Sequence, residues 1–195
     1  MELCRGLTVL SSAMLFACGG GKGGGGAGGS SPDAAQACDP SCMDATALRS
    51  LRDAIKLVYN LRLQGQPVGA QDQMTQCPLG GGAHVFGQAT SNGDLGTTNV
   101  DLTYVFMQCA YSETDNDPTQ TFSMTLAGTV TESGTIAVEP SSTTALQFQS
   151  NAMTFSGTVY FPPVVYDESA CTVALGQNGG DLSGKLCGRM AGVTL

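Results

Sequence analysis

Few side chains in this 195-residue protein have chemical potential, and sulfur leads them. Of eight cysteines, Cys4 and Cys18 fall in the first eighteen residues, and six lie from Cys38 onward. A metal centre needs ligands clustered at short spacings with histidine nearby. Only Cys38-x₃-Cys42 comes close, and the sole histidine, His84, is distant. The six therefore read as three disulfides, and turn signals suggest the pairs. Asn92-Gly93 is a hairpin turn signal, and Cys77 and Cys109 lie sixteen residues either side of Gly93. Gly176–Gly180 is a second turn, and Cys171 and Cys187 lie eight residues either side of Gly179. Cys38 and Cys42 remain as a local pair.

Other candidate chemistry is sparse. His84 has no nucleophile motif beside it and reads as a surface residue on the first strand. Glu113, Asp115, Asn116 and Asp117 form an oxygen-rich loop of the kind calcium favours, but the spacing matches no complete calcium loop. Tyr160–Tyr166 (YFPPVVY) is an apolar, proline-broken connection, suited to closing the core or to meeting a partner, lipid or glycan. The glycine-rich stretches carry no phosphate-loop pattern, and no cofactor is implied.

The elements that would position these groups follow from periodicity. Ser41-Cys42-Met43-Asp44 has the form of a helix start. Leu48, Leu51, Ile55 and Val58 then form one apolar stripe, and Gly65 and Pro67 end it. Arg49, Arg52, Lys56 and Arg62 make this helix basic, whereas only Lys185 and Arg189 oppose eleven acids from Leu63 onward. The simplest account is a basic helix covering an acidic sheet.

From about Ala83 the period changes to two. Val100, Leu102, Tyr104 and Phe106 alternate with polar residues, as do Phe122, Met124, Leu126 and Val130. Leu146 and Phe148, then Met153, Phe155, Val159 and Phe161, continue the pattern with threonine-rich partners. These are strands with one apolar face. An apolar-x-Gly-polar-apolar repeat places Gly87, Gly128, Gly157 and Gly184 on that face, where a missing side chain permits a bend or a close approach. The expected fold is mainly β (α+β). It is a curved antiparallel sheet or half-barrel of seven to eight strands, with the N-terminal helix on its concave side; the alternative is a closed barrel or sandwich.

Before this domain (38–195) come two other segments. Gly19–Gly29 holds nine glycines in eleven residues, so 18–37 reads as a flexible tether, with a reach of roughly 20–26 Å over Gly19–Ala37. Residues 1–17 read as an export signal, because Gly6–Ala17 is an uncharged stretch of 12 residues, too short to span a bilayer. Leu15-Phe16-Ala17-Cys18 resembles the lipobox of bacterial lipoproteins, with Leu at −3, a small residue at −1 and Cys at +1. The resemblance covers only these eighteen residues and leaves the domain's family open. It implies cleavage before Cys18, a diacylglycerol on its sulfur and an acyl chain on the new amine. Several chains on one residue make a lasting anchor. Gly19 after Cys18, rather than Asp, implies the outer membrane by resemblance to enterobacterial lipoprotein sorting.

Composition narrows the function classes. Sixteen acids against eight bases give a net charge of −8, which argues against a nucleic-acid partner. The expectation is a lipid-anchored envelope lipoprotein, held to the membrane through Cys18. Its role would be non-enzymatic, either binding or structural. The alternative is a carrier of lipid or another apolar ligand in the hollow between helix and sheet.

Overall fold

A computed structural model of the protein describes residues 38–66, 68–92, 95–137 and 143–195. The signal segment, the tether, Cys18 and the hairpin tip at Gly93 lie outside the described residues. Residues 38–195 form one compact unit that contains its own core and all three disulfides.

Helix α1 (Pro40–Arg62) starts one residue before the expected Ser41. Its cap is Asp39, whose carboxylate accepts from the Cys42 backbone N–H at 2.8 Å. Pro40 occupies the first turn, where a missing N–H costs nothing. Ala47, Leu48, Leu51, Ala54, Ile55 and Val58 are buried along one stripe.

Eight strands follow in a simple antiparallel meander: β1 (Gly69–Gln76), β2 (Gly82–Asn92), β3 (Thr97–Glu113), β4 (Phe122–Ala137), β5 (Ala145–Val159), β6 (Val164–Asn178), β7 (Asp181–Leu186) and β8 (Arg189–Thr194). The sheet is open, with β1 and β8 as its edges. Laid flat, eight strands would span about 34 Å at about 4.8 Å each, while a helix with side chains is only about 10–12 Å across. Yet α1 touches both edges, β1 and β8, as well as β2, β4, β5 and β6. The sheet must therefore curl around the helix.

Two devices produce the curl. Register shifts interrupt the long strands between Phe106 and Cys109, Gly128 and Thr131, and Ser150 and Phe155. Such bulges bend and twist a strand. They also explain why the inward row changes from even positions (Leu146, Phe148) to odd ones (Met153, Phe155) along β5. The second device is glycine. Gly87, Gly128, Gly157 and Gly184 lie opposite Leu102, Met153, Met124 and Leu175 on the neighbouring strand. At each one, an added Cβ would fall within 2.1–2.6 Å of a carbonyl oxygen of that neighbour. The neighbouring strand occupies the space a side chain would need.

Strand β1 precedes the expected start of the β region, so His84 stands on the second strand, not the first. β1 reads GAQDQMTQ, and its inward positions are Gln71 and Thr75. An edge strand with polar residues on both faces has no apolar alternation to reveal it.

The disulfides join Cys38–Cys42, Cys77–Cys109 and Cys171–Cys187. The pairs are the expected ones, but the geometry differs from a plain hairpin. Cys77 sits in the β1–β2 connection, which lies against β3 through Leu79 N–H to Ala110 O and Ala110 N–H to Gly80 O, both 2.9 Å. Cys187 sits in the two-residue β7–β8 turn, where it and Gly188 both take positive φ, the primed geometry that suits a hairpin.

Candidate functional site

The inward face of the sheet is mostly apolar, with Gln71, Thr75 and Gln177 among its few polar members, and among the described residues it buries one carboxylate. Glu132 follows Val130 in the inward row of β4 and is only 1 % exposed. Its register neighbours are Leu102 on β3 and Phe148 on β5. A lone buried carboxylate is costly unless hydrogen-bonded or paired. Tyr104 on β3 donates its O–H to Glu132 Oε2 at 2.7 Å. Arg52 on α1 adds a favourable charge. Burial nevertheless pushes the Glu132 carboxyl up from its ordinary value, against the lowering effect of Tyr104 and Arg52. Burial, then the Glu132 charge, holds the Tyr104 phenol well above its usual range.

Glu132 borders a cavity of about 340 Å³ beneath the C-terminal half of α1, a size at the lower end for small-molecule sites. Tyr59, Thr98 and Ile136 form its walls, and Arg52 and Lys56 are its cations. Arg52, Lys56 and Tyr59 share one helix face because they stand at i, i+4 and i+7. A further space of about 210 Å³ adjoins it, sharing Tyr59, Gly65 and Thr98 and reaching Gln71 on β1.

Arg52 is held in place from below. Its Nε donates to Gln177 Oε1 on β6 at 2.7 Å, and its guanidinium carbon lies 5.7 Å from the centre of the Phe148 ring. These contacts leave its terminal nitrogens without a protein hydrogen bond among the described residues. The arrangement presents a buried acceptor, two cations and an aromatic wall to whatever enters.

A second charged cluster sits at the other end of α1. Arg189 donates to both oxygens of Asp44 at 2.7 and 2.8 Å and to Glu168 at 2.7 Å, while Tyr166 donates to Asp44 Oδ1 at 2.9 Å. Burial, then hydrogen bonding to Asp44, raises the Tyr166 phenol. Each charge here has a partner, and the cluster ties the start of the helix to β6 and β8. Asp44, the acid of the expected capping sequence, serves here instead.

The residues singled out in the sequence are dispersed. His84 lies on the outer face, with Nε2 2.6 Å from Asp72 Oδ1 of β1 and its ring 5.0 Å from that of Phe86. The acidic loop spends its oxygens locally. Asp115 accepts from the Asp117 N–H, and Asp117 accepts from Thr119 and Gln120. Among the described residues no group of three or more His, Cys, Asp or Glu is placed to hold a metal. The 160–166 segment divides, with Phe161 and Val165 outside and Tyr166 turned into the core. No described helix is long and apolar enough to cross a membrane.

Sequence reasoning missed Glu132, and a signal for it existed. It occupies an even position in β4, the parity of Phe122, Met124, Leu126 and Val130. A charge in an apolar row marks a buried polar site. Searches of protein-family models, curated proteins and solved structures return no match.

Proposed function

We propose that this chain is a lipoprotein of the bacterial envelope, acylated on Cys18 and held at the outer membrane. Its disulfide-bonded domain is a non-enzymatic binding module, and the Glu132 cavity is its ligand site. The anchor rests on the Leu15-Phe16-Ala17-Cys18 motif and the glycine tether. Three disulfides support an oxidising compartment. The single observation that carries the binding role is Glu132, a carboxylate kept in an apolar row at the edge of a cavity. Among the described residues, no histidine, cysteine or serine lines that cavity.

Carriage of an apolar ligand is less well supported. It needs an apolar void between helix and sheet. That space holds Leu48, Leu51 and Ile55 of the helix in one cluster with Tyr104, Phe148 and Phe155, all essentially fully buried.

Two experiments test the two halves. Metabolic labelling with a palmitate analogue should mark the wild-type chain and not Cys18→Ser, and the variant should leave the membrane fraction. An unlabelled wild-type chain would overturn the anchor. Native mass spectrometry of the 38–195 domain purified from the envelope should show a bound small mass that Glu132→Gln loses. A bound mass that survives in a folded Glu132→Gln variant would overturn the assignment of the site.

A further inference from the structure

The charges around the cavity specify more than a generic polar ligand. Glu132 uses Oε2 for Tyr104, and among the described residues Oε1 has no hydrogen-bond partner. A carboxylate oxygen open to the cavity can accept from a donor, either an ammonium or a hydroxyl group. Arg52 lines the same space, and its side chain is already oriented by Gln177 and Phe148. A planar guanidinium held this way suits a carboxylate. Lys56, one turn further along α1, is exposed at the rim and adds a second positive charge. Two cations and one carboxylate line the cavity, and Asp53 lies within charge range of both cations, in a protein whose overall charge is −8. The lining offers an anion and a donor one partner each.

We propose that the cavity binds a small amino acid or hydroxy acid, with the amine or hydroxyl donating to Glu132 and the carboxylate taken by Arg52 and Lys56. This assignment rests on reading the domain as a binding module and names its ligand class. Tyr59 and Ile136 supply the apolar wall against which the ligand's carbon skeleton packs.

The test uses the 38–195 domain, which contains the whole core. Common amino acids and the hydroxy acids lactate, glycerate, malate and 2-hydroxyglutarate are titrated by calorimetry. Chemical shifts of backbone amides near Tyr59, Thr98 and Glu132 locate the binding. The expected result is at least one acid bound at a Kd of about 1 mM or tighter. The matching acid without the donor, such as succinate for malate, should bind about tenfold more weakly or worse, as should the binder to Glu132→Gln. Lys56→Ala, an exposed change that leaves the core untouched, should weaken the same acid and not an amine lacking the carboxylate. Comparing the two arms shows whether the donor is an ammonium or a hydroxyl. The proposal is overturned if no acid binds, if the donor-free acid binds equally well, or if Lys56→Ala leaves the affinity unchanged. A co-purifying mass outside this class would sink the ligand assignment while leaving the binding module standing.

Discussion

Replacing Gly157 by alanine adds one methyl group to the inward face of β5. Its Cβ would lie 2.1 Å from the Ser123 carbonyl oxygen and 3.0 Å from Met124 Cα on β4. Ordinary contact begins near 3.4 Å, so β4 must withdraw by more than about 1 Å. Both clashing atoms are backbone, and no flexible side-chain end can yield. Overpacking a tight interior costs about 1–3 kcal/mol, and a backbone clash belongs at the upper end. Lost chain entropy in the unfolded state returns about 0.4–1 kcal/mol for Gly→Ala. The net expectation is about 2 kcal/mol of destabilisation. With a urea m-value of about 2 kcal/mol/M, the midpoint falls by about 1 M. Gly157 does not have positive φ, so this loss isolates the steric effect. Gly65 is the control, with φ +78° and open space around it. Gly65→Ala should cost about 1 kcal/mol or less, since left-handed strain of about 1–2 kcal/mol is partly offset by the same entropy. Urea unfolding of the 38–195 domain, disulfides intact, measures both. If Gly157→Ala is neutral within about 0.5 kcal/mol, or no worse than Gly65→Ala, close strand approach is not why glycine stands there.

Replacing Cys77 and Cys109 by serine opens a loop with a sequence separation of 32 and should cost about 3–4 kcal/mol, against about 2 kcal/mol or less for Cys38 and Cys42, separated by 4; paired urea midpoints decide the order. Arg189→Met leaves Asp44, whose side chain is 5 % exposed, with only the Tyr166 hydroxyl. Breaking a buried pair costs about 3–5 kcal/mol, but Arg189 is 44 % exposed, so about 2 kcal/mol is expected, and Asp44→Asn in that background should restore part of it. Glu132 carries a raised folded-state pKa, so the folded protein holds its proton to higher pH than the unfolded chain does. Stability from this group is therefore greatest below its ordinary value of 4.5 and falls as pH rises from there towards the raised value. Glu132→Gln abolishes that fall, so urea midpoints should show the variant gaining on wild type between acid and neutral pH. A gap independent of pH would mean that Glu132 titrates normally.

How much was legible depends on how local each signal is. The stripe Leu48–Val58 and the alternating rows through Tyr104, Met124 and Phe155 could be read directly, because each records its own period. The cysteine pairs could be read because turn positions imply which chain segments run side by side. Strand β1 could not, since its inward Gln71 and Thr75 give no contrast with its outward residues. The Asp44–Arg189 clasp joins positions 145 apart and leaves no mark on either neighbourhood. Glu132 lies between these cases. Its parity was visible in β4, but its partner Tyr104 and its cavity were not.

The linear chain settled the helix, the inward rows, the glycines among them and the sulfur pairing, because periodicity and turn chemistry act within a few residues. The glycine repeat already implied a curved sheet with the helix on its concave side, and the folded molecule decided how far it curls, until one helix meets both of its edges. That curl brings Arg52 over Phe148 and gives Glu132 a phenol on one oxygen and a cavity beside it. The reason is that desolvation and charge pairing depend on distance in space, and strand register and curvature set that distance.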